Sequence, residues 1–293
     1  MVSANIEANV TVCIPTLEAA SLWKDLWSSI EKQTLQPSEV IVVDSASTDG
    51  TAEMARESGC RVVTIPREDF RHGGTRQRAA DLALNSDLIV YLTQDLILAD
   101  RDALARLVDV FADPRVGAAY GRQLPRPGAK PIEAHARLFN YPEMSAVRSL
   151  KSSDALGFKA IFFSNSFGAY RKDSLRQAGG FPKASNFGED TVVAARVLQR
   201  GWHIAYVADA RAYHSHAYSY KEEFKRYYRI GQLHGSEPWL LRDFGKVSGE
   251  GRRFAMSEIR YLSRYAPWKI PDAILRTSMK YAAYQCGRRN PHH

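Results

Sequence analysis

Two hydrophobic periods alternate through the first hundred residues. Short β-branched runs stand at Val10 to Pro15, Val40 to Asp44, Arg61 to Ile65 and Leu88 to Thr93, and each reads as a strand. Longer stretches with helical spacing lie between them. Over about Ala20 to Gln33, Leu22, Leu26 and Ile30 recur every four positions, and Thr48-Asp49 through Ser58 and Gly74 to Asn85 read as two further helices. The alternation predicts βαβ units around a mostly parallel sheet, an α/β fold. Right-handed crossovers gather the loops after each strand at one sheet edge, so Pro15, Asp44 and Asp95, at or just past strand ends, are expected to converge there.

Past Asp100 the pattern loosens into mixed sheet and loops. A helix is expected over Asp102 to Phe111, a strand near Ala118 to Arg122 and a Pro/Gly-rich loop over Pro125 to Pro131. Residues 172–178 read as a short helix closed by Gly179-Gly180, Glu189 to Gln199 as another closed by Gly201, and Ile204 to Val207 as a strand. After Tyr218 the chain is helical in pattern, carrying Phe224, Tyr227 and Leu233, then Phe254, Ile259 and Leu262, then Ile274, Met279 and Tyr284. The expected organisation is a core over residues 1–218 and a helical extension over residues 219–293.

Composition narrows the class. With 45% hydrophobic and 25% charged residues, the 293-residue chain is neither disordered nor fibrous. The net charge of +8 is local: residues 221–293 hold 15 basic and 7 acidic side chains, leaving the rest neutral. Cys13, Cys60 and Cys286 are odd in number and far apart, which fits neither a disulfide framework nor a structural zinc site and points to a reducing compartment. No apolar run reaches the roughly 18 residues of a membrane span, and Met1 to Asn9 is polar and acidic rather than a leader. A cytoplasmic protein is expected, at the inner face of the cell membrane if the basic end meets lipid. There Lys225, Arg226 and Arg229 interleave with Tyr227 and Tyr228, and Arg252, Arg253, Arg260 and Arg264 follow. Such a pattern suits nucleic acid, an amphipathic helix on anionic lipid, or solvated helices over an aromatic core.

Two nucleotide signatures are absent, the Gly-x-Gly-x-x-Gly turn and the Gly-Lys-Ser/Thr phosphate loop, which argues against a Rossmann dehydrogenase or a P-loop NTPase. In their place stand Cys13-Ile14-Pro15-Thr16 after the first strand and Val42-Val43-Asp44-Ser45-Ala46-Ser47-Thr48-Asp49-Gly50 after the second. A strand-end carboxylate such as Asp44 can accept bonds from ribose hydroxyls or a base N–H, or cap a turn. Asp49 reads as a helix cap.

Together with Thr93-Gln94-Asp95 and Gly188-Glu189-Asp190, these stretches resemble glycosyltransferase family two from about Val10 to Tyr218. The resemblance implies the GT-A fold and inverting transfer from a nucleotide-diphosphate sugar. Within the family, Asp69-Phe70-Arg71-His72-Gly73-Gly74-Thr75-Arg76 resembles the segment of bacterial rhamnosyltransferases that use dTDP-L-rhamnose.

What the resemblance implies residue by residue can be weighed against the chemistry. Displacing a nucleoside diphosphate requires charge neutralisation on the leaving group and a base for the acceptor hydroxyl. Asp95 falls at the family's Asp-x-Asp metal motif, where Thr93 replaces the first acid, so a divalent metal, Mg or Mn, needs another ligand. His214 is the expected one. His216, on the same face if the segment is extended, is the second candidate and is also placed near the acceptor. In the Glu-Asp pair, Asp190 is the expected base and Glu189 orients it or contacts the acceptor; by position alone both would be first-turn acids complementing a helix dipole. The nucleotide-sugar site is expected to include Pro15, Thr16, Glu18, Asp44, Ser47, His72, Gly73, Arg76, Gln94 and Asp95. Gly73 and Gly74 would let backbone N–H groups approach an anion closely. Asn165 and Ser166 are expected on the acceptor side.

The implied activity is transfer of L-rhamnose from a dTDP-sugar donor to a hydroxyl of a cell-surface polysaccharide or lipid-linked oligosaccharide. The partners are that donor, the saccharide acceptor and a membrane surface met by the C-terminal helices, with no nucleic acid. Another donor on the same fold, such as a UDP-hexose or UDP-galactofuranose, is the alternative. A basic nucleic-acid-binding module would leave Asp95, Glu189, Asp190 and His214 without a purpose, and a silent scaffold draws support only from Thr93.

Overall fold

The four early β-branched runs become four parallel strands. The computed structural model describes residues 8–245 and 249–291, so most of the polar stretch Met1 to Asn9 lies outside the described residues. Strands β1 (Val10–Thr16), β2 (Glu39–Asp44), β3 (Arg61–Thr64) and β4 (Leu88–Leu92) lie side by side in the order β3-β2-β1-β4. The β1–β2 register sets Thr16 opposite Asp44 and Pro15 opposite Val43, which brings the two marked strand ends together. Helices α1 (Ala20–Glu31), α2 (Thr51–Glu57) and α3 (His72–Leu82) follow the first three strands. All five residues of β4 are buried, as expected of a strand covered on both faces.

Beyond β4 the sheet turns antiparallel. The chain continues through β5 (Ile97–Leu98), α4 (Ala103–Asp109), β6 (Val116–Leu124), α5 (Pro131–Asn140), β7 (Ala146–Arg148), α6 (Ser153–Leu156), β8 (Phe167–Arg171), α7 (Lys172–Gln177), α8 (Glu189–Gln199) and β9 (His203–Tyr213). The sheet order is β3-β2-β1-β4-β8-β6-β9-β5, with β7 beside β9. Strand β8 runs antiparallel to both β4 and β6, so the sheet is mixed. One core of Val12, Ile14, Val90, Leu92, Leu26, Leu104, Phe167 and Ala205 unites the two halves.

Some boundaries differ from the sequence pattern for identifiable reasons. Strand β9 continues six residues past Val207, because Ala208, Ala210 and Ala212 face inward while Asp209 and Arg211 face solvent. This period-2 pattern is written in a residue of low hydrophobicity. Helix α2 starts at Thr51 because Gly50 sits at φ +92°, and the Asp49 carboxylate accepts from the N–H groups of Thr51 and Ala20. Helix α3 begins at His72, so Gly73 and Gly74 lie inside its first turn.

The described residues form two compact units. The first holds those up to Gln123 with Glu143–Leu150 and Ile161–His214; the second holds Leu124–Pro142, Lys151–Ala160 and those from Ser215 onward. Helices α9 (Tyr220–Ser236), α10 (Pro238–Phe244), α11 (Glu250–Tyr265) and α12 (Ile270–Arg289) complete the second unit. Ser219 and Glu222 form a capping box that starts α9. A Cβ on Gly287 would lie 1.9 Å from the Tyr228 carbonyl oxygen, and one on Gly231 would lie 2.2 Å from that of Tyr284, so glycine is what lets α9 and α12 touch. Glu223 of α9 is paired with Arg276 at 2.8 Å and Lys280 at 3.1 Å from α12.

Candidate active site

The edge formed by the ends of β1 and β2 is tightly hydrogen-bonded. Asp44 is buried; its carboxylate accepts from the Thr16 hydroxyl at 2.9 Å and from the Ser47 hydroxyl and N–H at 2.6 and 2.9 Å. Ser47 Oγ in turn accepts from the Glu18 N–H at 2.9 Å. Glu18 pairs with Arg67 and bonds Thr48, and the Gln94 side-chain amide clamps the backbone of Leu17 through two bonds of 2.7 and 3.0 Å. Glu18 and Ala46, neither of them glycine, hold φ values of +49° and +51°. Backbone strain of this kind persists only where its surroundings enforce it, and it clusters at ligand sites. Pro15, Thr16, Glu18, Asp44, Ser47 and Gln94 are thus one connected cluster.

Asp95, three residues past β4, meets His214, the residue after β9. His214 Nε2 lies 3.3 Å from Asp95 Oδ1, and its Nδ1 lies 2.9 Å from Gln123 Oε1 of β6. The Gln123 amide nitrogen donates to Ser164 Oγ at 2.8 Å. A glutamine carbonyl oxygen accepts only, so Nδ1 carries the hydrogen, and Nε2 faces Asp95, as a donor when the ring is protonated and as a lone pair open to a cation when it is neutral. A lone pair facing a carboxylate is repulsive unless a cation or proton lies between them, and an imidazole oriented through its far nitrogen is the usual arrangement of a metal ligand. Thr93, at the position of the absent first acid, has a buried hydroxyl with no protein partner. The donor set therefore fits a divalent cation, with nitrogen and carboxylate ligands. His216 lies two residues beyond His214, at the start of the second unit.

The acidic pair opens α8 after Gly188, which takes φ +74°. Its two members differ in environment. Glu189 is buried, and its Oε1 is 3.2 Å from both the Arg76 guanidinium and the Asn165 amide nitrogen. Asn165 Oδ1 accepts from the Tyr170 hydroxyl at 2.8 Å, and burial, followed by the nearby Asp190 charge, holds that hydroxyl well above its ordinary pKa and hence neutral. Asp190 is half-buried and accepts from the Thr191 N–H at 2.8 Å. The arrangement makes Glu189 a fixed internal charge and leaves Asp190 the more accessible carboxylate.

Arg76 and Asn165 are thus both engaged with Glu189, and Arg76 also donates to the His72 carbonyl oxygen at 3.1 Å. Gly73 and Gly74 both pack closely against the segment 182–185. The Gly73 N–H donates to the Ser185 carbonyl at 3.0 Å, and a Cβ on Gly73 would lie 2.0 Å from the Pro182 carbonyl oxygen. His72 stacks edge-on with Phe70 at 5.0 Å, and the Ser166 carbonyl accepts from Thr93 N–H at 3.2 Å. Gln123 and Ser164 were not anticipated, because their partners lie 41 and 91 residues away, and Tyr170, five residues from Asn165, carries no local mark of its role.

Residues 11–179 match the Glycosyl transferase family 2 description. The O-antigen chain rhamnosyltransferase RfbN of Salmonella typhimurium is 44% identical over 280 residues, covering 95% of this chain and 89% of its own. WbaN of Salmonella anatum, also an O-antigen chain rhamnosyltransferase, is 42% identical over 279 residues, covering 95% and 89%. Among solved structures, a mannosyltransferase from Pyrobaculum calidifontis in complex with GDP-Man and Mn2+ superposes with a TM-score of 0.58 at 24% identity, covering 94% of this chain and 76% of that one, a likeness of fold. The chain has the GT-A fold and belongs to glycosyl transferase family 2.

Proposed function

We propose that the protein is an inverting rhamnosyltransferase. It moves L-rhamnose from dTDP-L-rhamnose to a hydroxyl of a growing cell-surface polysaccharide or lipid-linked oligosaccharide, at the cytoplasmic face of the cell membrane. The near full-length likeness to the two Salmonella O-antigen chain rhamnosyltransferases carries this reading. No described helix is long and apolar enough to cross a membrane. A division of labour is proposed in which residues 1–218 bind donor and catalyse while the basic helices of 219–293 meet the lipid surface.

The residues take the following roles. Asp44, Thr16 and Ser47, with Pro15, Glu18 and Gln94 beside them, hold the nucleoside, and His72, Gly73 and Arg76 border the donor. Asp190 accepts the proton of the acceptor hydroxyl as that oxygen bonds to the anomeric carbon and the bond to the diphosphate breaks, so dTDP leaves and the configuration inverts. Glu189, held by Arg76 and Asn165, fixes the first turn of α8 and so the position of Asp190. Asp95 and His214, joined by His216, would hold Mg or Mn, which when bound neutralises charge on the departing diphosphate. Ser166 lies on the acceptor side.

The test presents the purified chain with dTDP-L-rhamnose, a UDP-hexose or UDP-galactofuranose, each with a lipid-linked oligosaccharide acceptor and Mn2+. Release of dTDP, with a rhamnosylated product of inverted configuration, is the expected result. Turnover with a UDP-sugar alone would overturn the donor assignment.

A further inference from the structure

A pocket of about 310 Å³ opens between α5 and α11 in the second unit, lined by no residue given a site role above. Its walls are aromatic and apolar: Phe139 and Leu138 from α5 face Tyr261 and Tyr265 from α11. Its polar floor is small. Buried His135 reaches Ser257 Oγ at 3.0 Å through Nε2, while its Nδ1 has no hydrogen-bond partner. Desolvation pushes His135 down to about 4, so this imidazole is uncharged at neutral pH, and the buried Glu258 carboxyl lies 3.9 Å from its Nδ1. The rim is cationic, with Arg260 and Arg264 one helical turn apart.

The two rim arginines are set apart by their place at the pocket, which both line. Arg276 and Arg253 engage carboxylates, whereas neither Arg260 nor Arg264 has an acidic partner among the described residues. Arg264 instead lies 5.5 Å from the Tyr265 ring centroid, and Tyr265, Leu138 and Trp268 all expose large apolar surfaces nearby in the sequence or at the pocket. Two guanidinium groups spaced in this way favour a phosphoryl group, which they can bind with paired, charge-assisted bonds. The aromatic walls favour an alkyl chain or the apolar face of a sugar ring, while His135 and Ser257 offer a neutral imidazole and a hydroxyl.

The geometry points to this pocket as an anchoring site for the phosphate-bearing head of a lipid-linked saccharide, with the phosphate on Arg260 and Arg264 and the adjoining prenyl or sugar carbons on Tyr261, Tyr265 and Phe139. The ligand class rests on the acceptor reading above. The site adds a hold on the acceptor within the helical unit.

The probe is farnesyl diphosphate, titrated calorimetrically into the full chain in nonionic-detergent micelles, with inorganic diphosphate and farnesol as separate arms. Farnesyl diphosphate is expected to bind at least about tenfold more tightly than either, and Arg260→Gln/Arg264→Gln to weaken it by about tenfold or more. Equal binding of inorganic diphosphate, or an unaffected double variant, would overturn the proposal. Thermal stabilisation by dTDP serves as the folding control, because that ligand does not use these arginines. Rhamnosyl transfer to a lipid-linked acceptor with an unchanged acceptor KM in the double variant sinks the pocket and spares the activity. Arginine-dependent farnesyl diphosphate binding without transfer from any dTDP-sugar sinks the activity and spares the pocket.

Discussion

Arg76 and Glu189 meet at 3.2 Å with their side chains only 6% and 7% exposed, although 113 positions separate them in sequence. The pair ties the first turns of α3 and α8 together behind Asp190, and Asn165 shares the same Glu189 oxygen. A buried charge is tolerated here only because its partner is present.

Arg76→Met should therefore destabilise the protein by about 3–5 kcal/mol, the cost of leaving one member of a buried pair alone. Glu189→Gln should cost less, since the amide oxygen still accepts from Asn165, although the Arg76 charge is left unpaired. Urea unfolding of both variants checks the order. Equal stability of Arg76→Met and the parent protein would show that the pair contributes nothing net.

The orientation of His214 leads to a metal prediction. Gln123→Leu removes the acceptor that places the hydrogen on Nδ1, without touching a proposed ligand. Mn2+ affinity, measured by electron paramagnetic resonance, should fall by about 10–100-fold, as is typical when an outer partner of a ligating histidine is lost. His214→Ala should weaken it further. Unchanged Mn2+ binding in Gln123→Leu would mean that the tautomer is set by something else.

Much of this site was visible in the sequence where the chemistry is local. The runs that became β1, β2 and β4 are covered on both faces and therefore read as near-continuous apolar segments, and Asp44, Asp95 and Asp190 are marked by the element ends they occupy. What was hidden depends on contacts distant in sequence. Gln123 gives no local sign that it will meet His214, and nothing around Arg76 announces Glu189. The alanines of β9 conceal a strand because their burial adds little hydrophobicity, and nothing near Gly73 signals its close neighbour, the Pro182 carbonyl, more than a hundred residues away.

The helical unit should show a pH dependence centred on Glu258. Burial raises this carboxyl to about 7, with Lys280 and Arg276 opposing and Glu223 and Asp272 reinforcing the shift. Between pH 4.5 and about 7 the native state then holds a proton that the unfolded chain has released, so this group's contribution to stability falls as pH rises. His135 and His234, both pushed down to about 4 by burial, act in the opposite direction from about pH 4 to 6.5, since there the unfolded chain binds more protons. Glu258→Gln removes only the falling contribution. Relative to the parent, the variant should gain on the order of 3 kcal/mol on going from pH 4.5 to 8, measured by urea unfolding at both values. A difference that does not vary with pH would contradict the raised carboxyl.

The two acids that open α8 can be separated by kinetics and stability together. Asp190→Asn preserves size and keeps an oxygen to accept from the Thr191 N–H, while removing the basic carboxylate. Turnover should fall by about 10²–10⁴-fold, the range for loss of a general base, with dTDP binding and urea stability close to those of the parent because this side chain is half-buried and not part of the Arg76 pair. Glu189→Gln should instead lose stability, and any loss of turnover should arise from a displaced Asp190 rather than a missing base. The pH profile distinguishes these cases: a base held out of position still titrates, so Glu189→Gln should retain the acid limb of the rate profile, whereas Asp190→Asn should abolish it. Near-parent turnover in Asp190→Asn would remove Asp190 from the chemistry, whatever the behaviour of Glu189.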